Sequence, residues 1–329
     1  MMTKNATQTA ISYFGKIPTR GDFVKATDSP ALISVIDDWL AQAMELLSSD
    51  PRWKITYDTV VPMHFAFIGP RRKRAIAGHI VASTDEAQRR FPFMAMSTME
   101  IEDPSEFVQR HPLVLARLWK NMQTLVGDVL VSENPGSSLQ KLSATNIDLE
   151  LSPTAYEAAF TDFLNVQTVG ALDAMLLQTG FTGSVREVML ALGFLLEPVM
   201  SSGSSRLEKS LVIPLPADPI YRYLAASFWM NLIAPFLLKV DFELAVFFTQ
   251  IQQKPSMIVG FSGASPRTLQ AIMDAQVGLS HHIPFENVQW VDEQIHANFK
   301  IQKLSSYLNQ PHLSLKSARD SFREAFIGA

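Results

Sequence analysis

The residues best spaced for chemistry are Gly260-Phe261-Ser262-Gly263-Ala264. Met257 to Phe261 reads as a strand and Ser265-Pro266 opens a helix. Ser262 would therefore sit on a strand-to-helix turn, the place where α/β hydrolases hold their nucleophile. Asp292 and His296 follow in the Ser, Asp, His order of such enzymes. The motif requires a final glycine, however, and Ala264 stands there. Gly260 and Gly263 have a simpler use, to let the chain turn, with Ser265 capping the next helix. A serine hydrolase built on Ser262 is the alternative reading. The leading expectation is a protein that is not an enzyme.

Other chemistries find less support. The chain has no cysteine, which excludes disulfides, thiolate nucleophiles and Cys-ligated metal. His281 and His282 are adjacent, and neighbouring side chains on a strand or helix point apart, so they are expected to be loop histidines and not joint ligands. His64 and His79 fall on predicted strands and are expected to satisfy local hydrogen bonds. Neither Gly-x-x-x-x-Gly-Lys-Ser/Thr nor Gly-x-Gly-x-x-Gly occurs. No metal and no cofactor are expected.

Arg71-Arg72-Lys73-Arg74 is the densest charge run. Such runs are most often solvated turns, and the functional use open to this one is electrostatic docking on an acidic partner. Nucleic acid fits poorly. No aromatic residue interleaves the run, and the whole chain carries 28 basic against 32 acidic residues, a net charge of −4.

These residues need a frame. The chain is 329 residues long and 47% hydrophobic, which suffices for a substantial core and favours about two domains. Ile11 to Ile17 reads as a first strand, and a loop runs from Gly15 to Phe23. Ser29-Pro30 starts a helix whose Leu32, Ile36, Trp39, Leu40, Ala43 and Leu47 form one apolar face. Val60–Ile68 and Ala75–Ser83 read as strands joined by a hairpin tip at Gly69 to Arg74, with a third strand over Phe93–Ile101. Asp103-Pro104-Ser105-Glu106 has the pattern of a capping box, and Pro112 is expected to kink or restart the helix that follows. Ser132 to Asn146 is rich in Ser, Asn, Gly and Pro and is the candidate linker. A mostly helical segment is expected from Ser152-Pro153 to Met200 with a break near Gly180 to Gly183, and Ser201 to Ser205 as a second flexible stretch.

The α/β pattern then resumes. Leu211–Leu215, Phe242–Gln250 and Met257–Phe261 read as strands, and helices open at Asp218-Pro219 and Ser265-Pro266. Paired strands with short turns argue for a mixed, partly antiparallel sheet. Both halves show strand, long helix, two strands, helix, which suggests two similar α/β units. Tyr223 to Leu238 is uncharged but falls short of the roughly 20 apolar residues that span a bilayer, so a buried core helix is expected. Met1 to Ala10 lacks the apolar core of a signal peptide, and the expected location is cytoplasmic.

One segment is more specific than the rest. Tyr13-Phe14-Gly15-Lys16-Ile17-Pro18-Thr19-Arg20-Gly21-Asp22-Phe23-Val24 resembles the opening signature of the TagF/ImpM family, with Trp39 where that family places a tryptophan. Ala82-Ser83-Thr84-Asp85 and Arg89-Arg90-Phe91-Pro92-Phe93 resemble its second signature, with Arg89 for the usual Gly and Phe93 for the usual Leu. The resemblance implies an N-terminal longin-like α/β/α sandwich over residues 1–135; the pattern of elements beyond it predicts a second α/β domain with a helical insertion over 147–329, so the expected fold is α/β (α+β) with a mixed sheet. The resemblance also implies a regulator associated with type VI secretion, a post-translational repressor that binds and sequesters the forkhead-associated scaffold protein, Fha. The signature residues Gly15, Lys16, Pro18, Arg20, Gly21, Asp22, Phe23, Arg90, Phe91 and Pro92 are then the candidate partner-binding set. Two roles stay open for Arg20 and Asp22. They could pair with neighbours and pin the loop, or meet the partner directly.

Overall fold

A computed structural model describes residues 6–27, 29–152, 154–202, 207–295 and 298–328. In chain order the first part holds β1 (Ala6–Ala10), β2 (Ser12–Gly15), β3 (Val24–Ala26), α1 (Pro30–Ser48), α2 (Trp53–Asp58), β4 (Met63–Ile68), β5 (Arg74–Val81), β6 (Phe93–Glu100) and α3 (Pro104–Val131). There follow α4 (Pro135–Ala144), β7 (Asn146–Glu150), α5 (Glu157–Val166), α6 (Val169–Leu177) and α7 (Val185–Ser202). The last part is β8 (Ser210–Pro214), α8 (Pro219–Leu237), β9 (Leu244–Ile251), β10 (Lys254–Gly260), α9 (Pro266–Met273), α10 (Ala275–His281), β11 (His282–Pro284), α11 (Trp290–Ile295), α12 (Phe299–Leu308) and α13 (Leu315–Phe326).

The helix starts follow local chemistry. Ser29, Asp103, Asp218 and Ser265 each accept a backbone N–H with their side chains, and proline fills the first turn in each case. The capping box at Asp103 is half formed: Asp103 accepts from Glu106 N at 3.1 Å, while Glu106 turns to Gln109 and Arg110.

Nine strands form one sheet in the order β11-β8-β10-β9-β4-β5-β6-β2-β3, and β1 and β7 make a separate antiparallel pair. Only β11 with β8 runs parallel among these nine; the other pairings are antiparallel, so the fold is α/β with a mixed sheet. The two segments on either side of residues 135–147 contribute adjoining strands to this sheet, because β4 pairs with β9 from His64↔Phe248 to Ile68↔Leu244. One face carries Phe14, Phe65, Met94, Phe247 and Ile258 against α1 and α9. The other carries Ala66, Ala77, Phe93, Val246 and Met257 against α3 and α8, with the helices α5–α7 and α11–α13 extending that layer.

Several elements differ from the sequence reading. Residues 132–146 are not an extended linker. Helix α4 occupies them, because Leu139 and Leu142 stand at helical spacing and bury under α3, and β7 then pairs with β1. Helix α3 is continuous across Pro112. A proline there deprives the Val108 carbonyl of its usual partner, and His111 Nδ1 donates to that oxygen at 2.9 Å instead. The similar order of elements in the two halves is not a spatial repeat, since α1 and α8, the long helices after the first strand, lie on opposite faces. Pro153 lies outside the described residues, and that helix begins at Glu157. Ser201 and Ser202 end α7, and the rest of the expected flexible stretch is outside the described residues. Helix α8 is buried along most of its length, and no helix among the described residues is long and apolar enough to cross a membrane.

Three histidines lie near the sheet under α3. His64 and His79 face each other across β4 and β5 and share a hydrogen bond, Nδ1 to Nδ1 at 3.0 Å. The His64 ring stacks on Trp119 at 5.6 Å, and Trp119 Nε1 donates to the Phe65 carbonyl. Burial is the main cause that depresses their pKa values, to about 3 for His64 and about 4 for His79 and His111. Each folded value lies below the unfolded value of about 6.5, so the native state binds fewer protons. Stability is therefore full above about pH 6.5 and is lost as pH falls toward the folded values. We predict a loss on the order of 1–2 kcal/mol per ring between pH 7 and pH 5. Denaturant melts across that range should show the fall, and His111→Asn, which keeps a side-chain donor for Val108, should make it shallower. A flat wild-type profile would contradict the assignment.

Candidate functional site

The first signature leaves β2 at Gly15, passes through an exposed loop and returns in β3. Gly15 adopts φ +134°, and a side chain there would collide with the Pro92 carbonyl. The close approach is used, because Lys16 N donates to that carbonyl at 3.3 Å. The second signature runs from the end of β5 to the start of β6, directly beside the first.

An ion cluster joins the two. Lys16 is buried, and its Nζ donates to Asp85 Oδ2 at 2.8 Å. Asp85 is fully buried and also accepts from Arg89 N at 2.8 Å and Arg89 Nε at 2.6 Å. Arg89 Nη2 reaches on to the Gly21 carbonyl at 2.6 Å, and Glu86 N donates to the Arg20 carbonyl at 3.0 Å. Burial disfavours the Asp85 carboxylate, but the donors from Lys16 and Arg89 outweigh it and hold the carboxyl well below the usual carboxylate range. Both oxygens of this buried anion thus accept from a cation or an N–H, the condition under which a buried charge is tolerated.

Aromatic residues close the loop from the other side. Phe23 stacks on Phe14 at 5.3 Å and meets Phe91 edge-on at 4.9 Å, and Lys16 Nζ lies 5.1 Å from the Phe23 ring centroid. Arg90 forks onto Asp58 through Nε at 2.8 Å and Nη2 at 2.6 Å. The Tyr57 hydroxyl donates to the Ser83 carbonyl and accepts from Ser83 N, which holds the strand end before the second signature.

The signature set divides by position. Gly15, Lys16, Phe91 and Pro92 are buried, and Arg90 is half-buried in its fork with Asp58. These residues shape the loop from beneath. Pro18, Arg20, Gly21, Asp22 and Phe23 are exposed. The side chains of Arg20 and Asp22 form no ion pair among the described residues. The loop is pinned through Lys16, Asp85 and Arg89, not by Arg20 and Asp22 as one of the two open roles supposed. Asp85, Tyr57 and Asp58 were not among the candidates. A lysine that is buried does require a carboxylate or other acceptor, but nothing in spacing says that Asp85, 69 residues away, is the one and not Asp22.

The other candidates lie apart from this site. The tip before β5 is tied into the C-terminal segment: Arg71 Nη2 donates to the Leu238 and Lys239 carbonyls, and Arg72 pairs with Asp241 and Glu243. Arg74 stands 3.9 Å from Glu100 with both side chains in solvent, a pair worth little, and Lys73 is exposed. Ser262 is exposed on the predicted strand-to-helix turn, and Gly263 takes a positive φ of 59° while donating to the Glu243 carbonyl. No histidine hydrogen-bonds Ser262 among the described residues. Asp292 pairs with Arg186 at 2.8 Å, and His296 lies outside the described residues. His281 and His282 are not in a loop. They end α10 and begin β11, since the helix passes straight into the strand, and His282 is buried.

The family model described as TagF N-terminal domain, Type VI secretion system-associated, matches residues 12–145. The matched stretch contains both signatures and the ion cluster. A similar solved structure is that of PA0076 from Pseudomonas aeruginosa PAO1, at 20% identity and a TM-score of 0.35. The match covers 43% of this chain and spans 65% of the length of that one. No curated protein matches the chain.

Two substitutions separate the parts of the clamp. Gly15→Ala should destabilise by about 1–3 kcal/mol, the cost of forcing a side chain into this backbone conformation, read as a lower denaturation midpoint. Lys16→Met keeps the apolar stem and removes the charge, so Asp85 loses its buried cation. Its melting temperature should fall at pH 7, and the gap from wild type should narrow at pH 3, because Asp85 without the Lys16 cation takes up a proton there more readily and no longer carries an uncompensated charge.

Proposed function

We propose that this protein is a non-enzymatic, cytoplasmic, post-translational repressor of the type VI secretion system that binds and sequesters the forkhead-associated scaffold protein, Fha. The TagF N-terminal domain, with its association with type VI secretion, is the observation that carries the reading. The form of the signature site supports it. A loop whose base is held by a buried ion cluster presents Pro18, Arg20, Asp22 and Phe23 to solvent in a fixed arrangement, and a preorganised loop loses less entropy on docking than a mobile one. Opposite charges at Arg20 and Asp22 suit a partner surface with the complementary pair. Lys73 and Arg74 offer a second, weaker electrostatic contact.

The test joins binding to secretion. Immobilised protein should retain purified Fha, and overexpression should lower type VI secretion. The charge-reversed pair Arg20→Glu with Asp22→Lys should weaken retention at least tenfold with an unchanged melting temperature, because neither side chain forms an ion pair among the described residues. Absence of retention together with unchanged secretion would sink the proposal. Full retention by the charge-reversed pair would move the contact away from this loop.

A further inference from the structure

A cleft remains that the signature site does not use. It opens where α9 and α10 fail to cover the end of the sheet, over β8, β10 and β11, and encloses about 490 Å³. A second hollow of about 320 Å³ continues it between α2 and α10, and Thr59, Met273 and Ala275 line both. The larger hollow is within the range of ligand sites. Because the two share these walls, an extended ligand can run from one into the other.

The lining tells the chemistry. Phe181, Val212 and Met273 give apolar walls. Register places His282, Val212 and Ser256 on the same face of the sheet. His282 is only 8% exposed, and neither of its ring nitrogens has a hydrogen-bond partner among the described residues. The Ala271 carbonyl lies close without hydrogen-bond geometry. A buried imidazole with both nitrogens unpaired is costly, and this one lines the cleft. In the larger hollow charge is cancelled, since Lys254 pairs with Glu286 at 2.6 Å; in the smaller, Arg52 pairs with Asp50 at 3.3 Å and the Asp274 carboxylate is taken up by the N–H groups of Gln276 and Val277.

The rim is unusual in its backbone. Gln252, Gln253 and Asn287 line the larger hollow, and all three hold positive φ, 51°, 66° and 57°. Gln252 and Gln253 form the tight turn between β9 and β10, where Asn-Gly or Gly-Gly would serve at less strain. Strain of this kind concentrates at binding sites. The carboxamides of these residues and of Gln250 form no hydrogen bond among the described residues, and such groups match the donor and acceptor of a peptide unit. Leu279, 71% exposed, adds an apolar edge.

We infer that this groove binds an extended, uncharged peptide segment of a partner, anchored by a tyrosine side chain in the larger hollow. Tyrosine combines an apolar ring for the walls with a hydroxyl that can both donate to and accept from a neutral imidazole. The groove is separate from the signature loop, so this inference stands or falls apart from the proposal that Fha docks there.

Blocked peptides Ac-Ser-Thr-Xaa-Thr-Ser-NH2, with Xaa as Tyr, Phe, Lys or Glu, test it on the full chain by 1H–15N titration. The Tyr peptide should shift the signals of Gln252, Gln253 and Asn287 saturably, about tenfold more tightly than Lys or Glu and several-fold more tightly than Phe. Ala275→Arg and Leu279→Asp, both at exposed positions, should abolish the shifts, while Val131→Asp, exposed elsewhere, should not. His282→Phe should remove the preference for Tyr over Phe. The inference is overturned if no peptide saturates, if the charged peptides bind as well, if Phe equals Tyr in the wild type, or if octyl glucoside fills the groove where peptides do not.

Discussion

The antiparallel pairing of β4 with β9 is the contact on which the molecule depends. It joins the segment that matches the TagF N-terminal domain model to the rest of the chain within a single hydrogen-bonded sheet. Phe65 and Phe247 stand opposite each other across this seam, and Trp39 of α1 packs on both, at 6.0 and 6.4 Å. The same seam is bridged above and below. Helix α1 packs on α9 over one face and α3 on α8 over the other, and each pair unites a helix from before the seam with one from after it. Parted there, the two halves would each expose an apolar strand edge, an arrangement that folded proteins avoid.

The signature site applies the same economy to charge. Its conspicuous residues serve mostly to hold one another. Asp85 would be an expensive ion to bury alone, and Lys16 likewise; together with Arg89 they turn that cost into a geometric condition, since the cluster is satisfied only when the two signature segments lie side by side. Phe14, Phe23 and Phe91 exclude water from the same junction. The exposed loop is thereby set on a rigid base, and the residues free to meet another molecule are the few between Pro18 and Phe23.

Three buried polar rings on the long helices α3 and α8 follow the same logic of local repair. Pro112 costs α3 a backbone hydrogen bond, and the ring of the preceding residue, His111, restores a donor. Trp119 on α3 and Trp229 on α8 each donate from the indole to a strand carbonyl, of Phe65 and of Pro214. Each long helix is thus fixed in depth against the sheet by one directional bond amid non-directional packing.

What could be read from the sequence was local. A Ser or Asp before Pro marks where a helix begins because the cap and the fixed φ act within one turn, and four helices begin where that pairing stands. The apolar stripe of α1 and the hairpin tip before β5 were legible for the same reason. Resemblance to the TagF signature identified which loop to examine. What tertiary structure alone decided were the long-range matters. Residues 132–146 have a linker's composition, yet burial of Leu139 and Leu142 under α3 makes a helix of part of them. Which carboxylate neutralises Lys16, which face α8 takes, and that β4 finds β9 are set by packing between residues far apart in the chain. Spacing carries no record of such partners, because the energy that selects them appears only when two surfaces meet and exclude water.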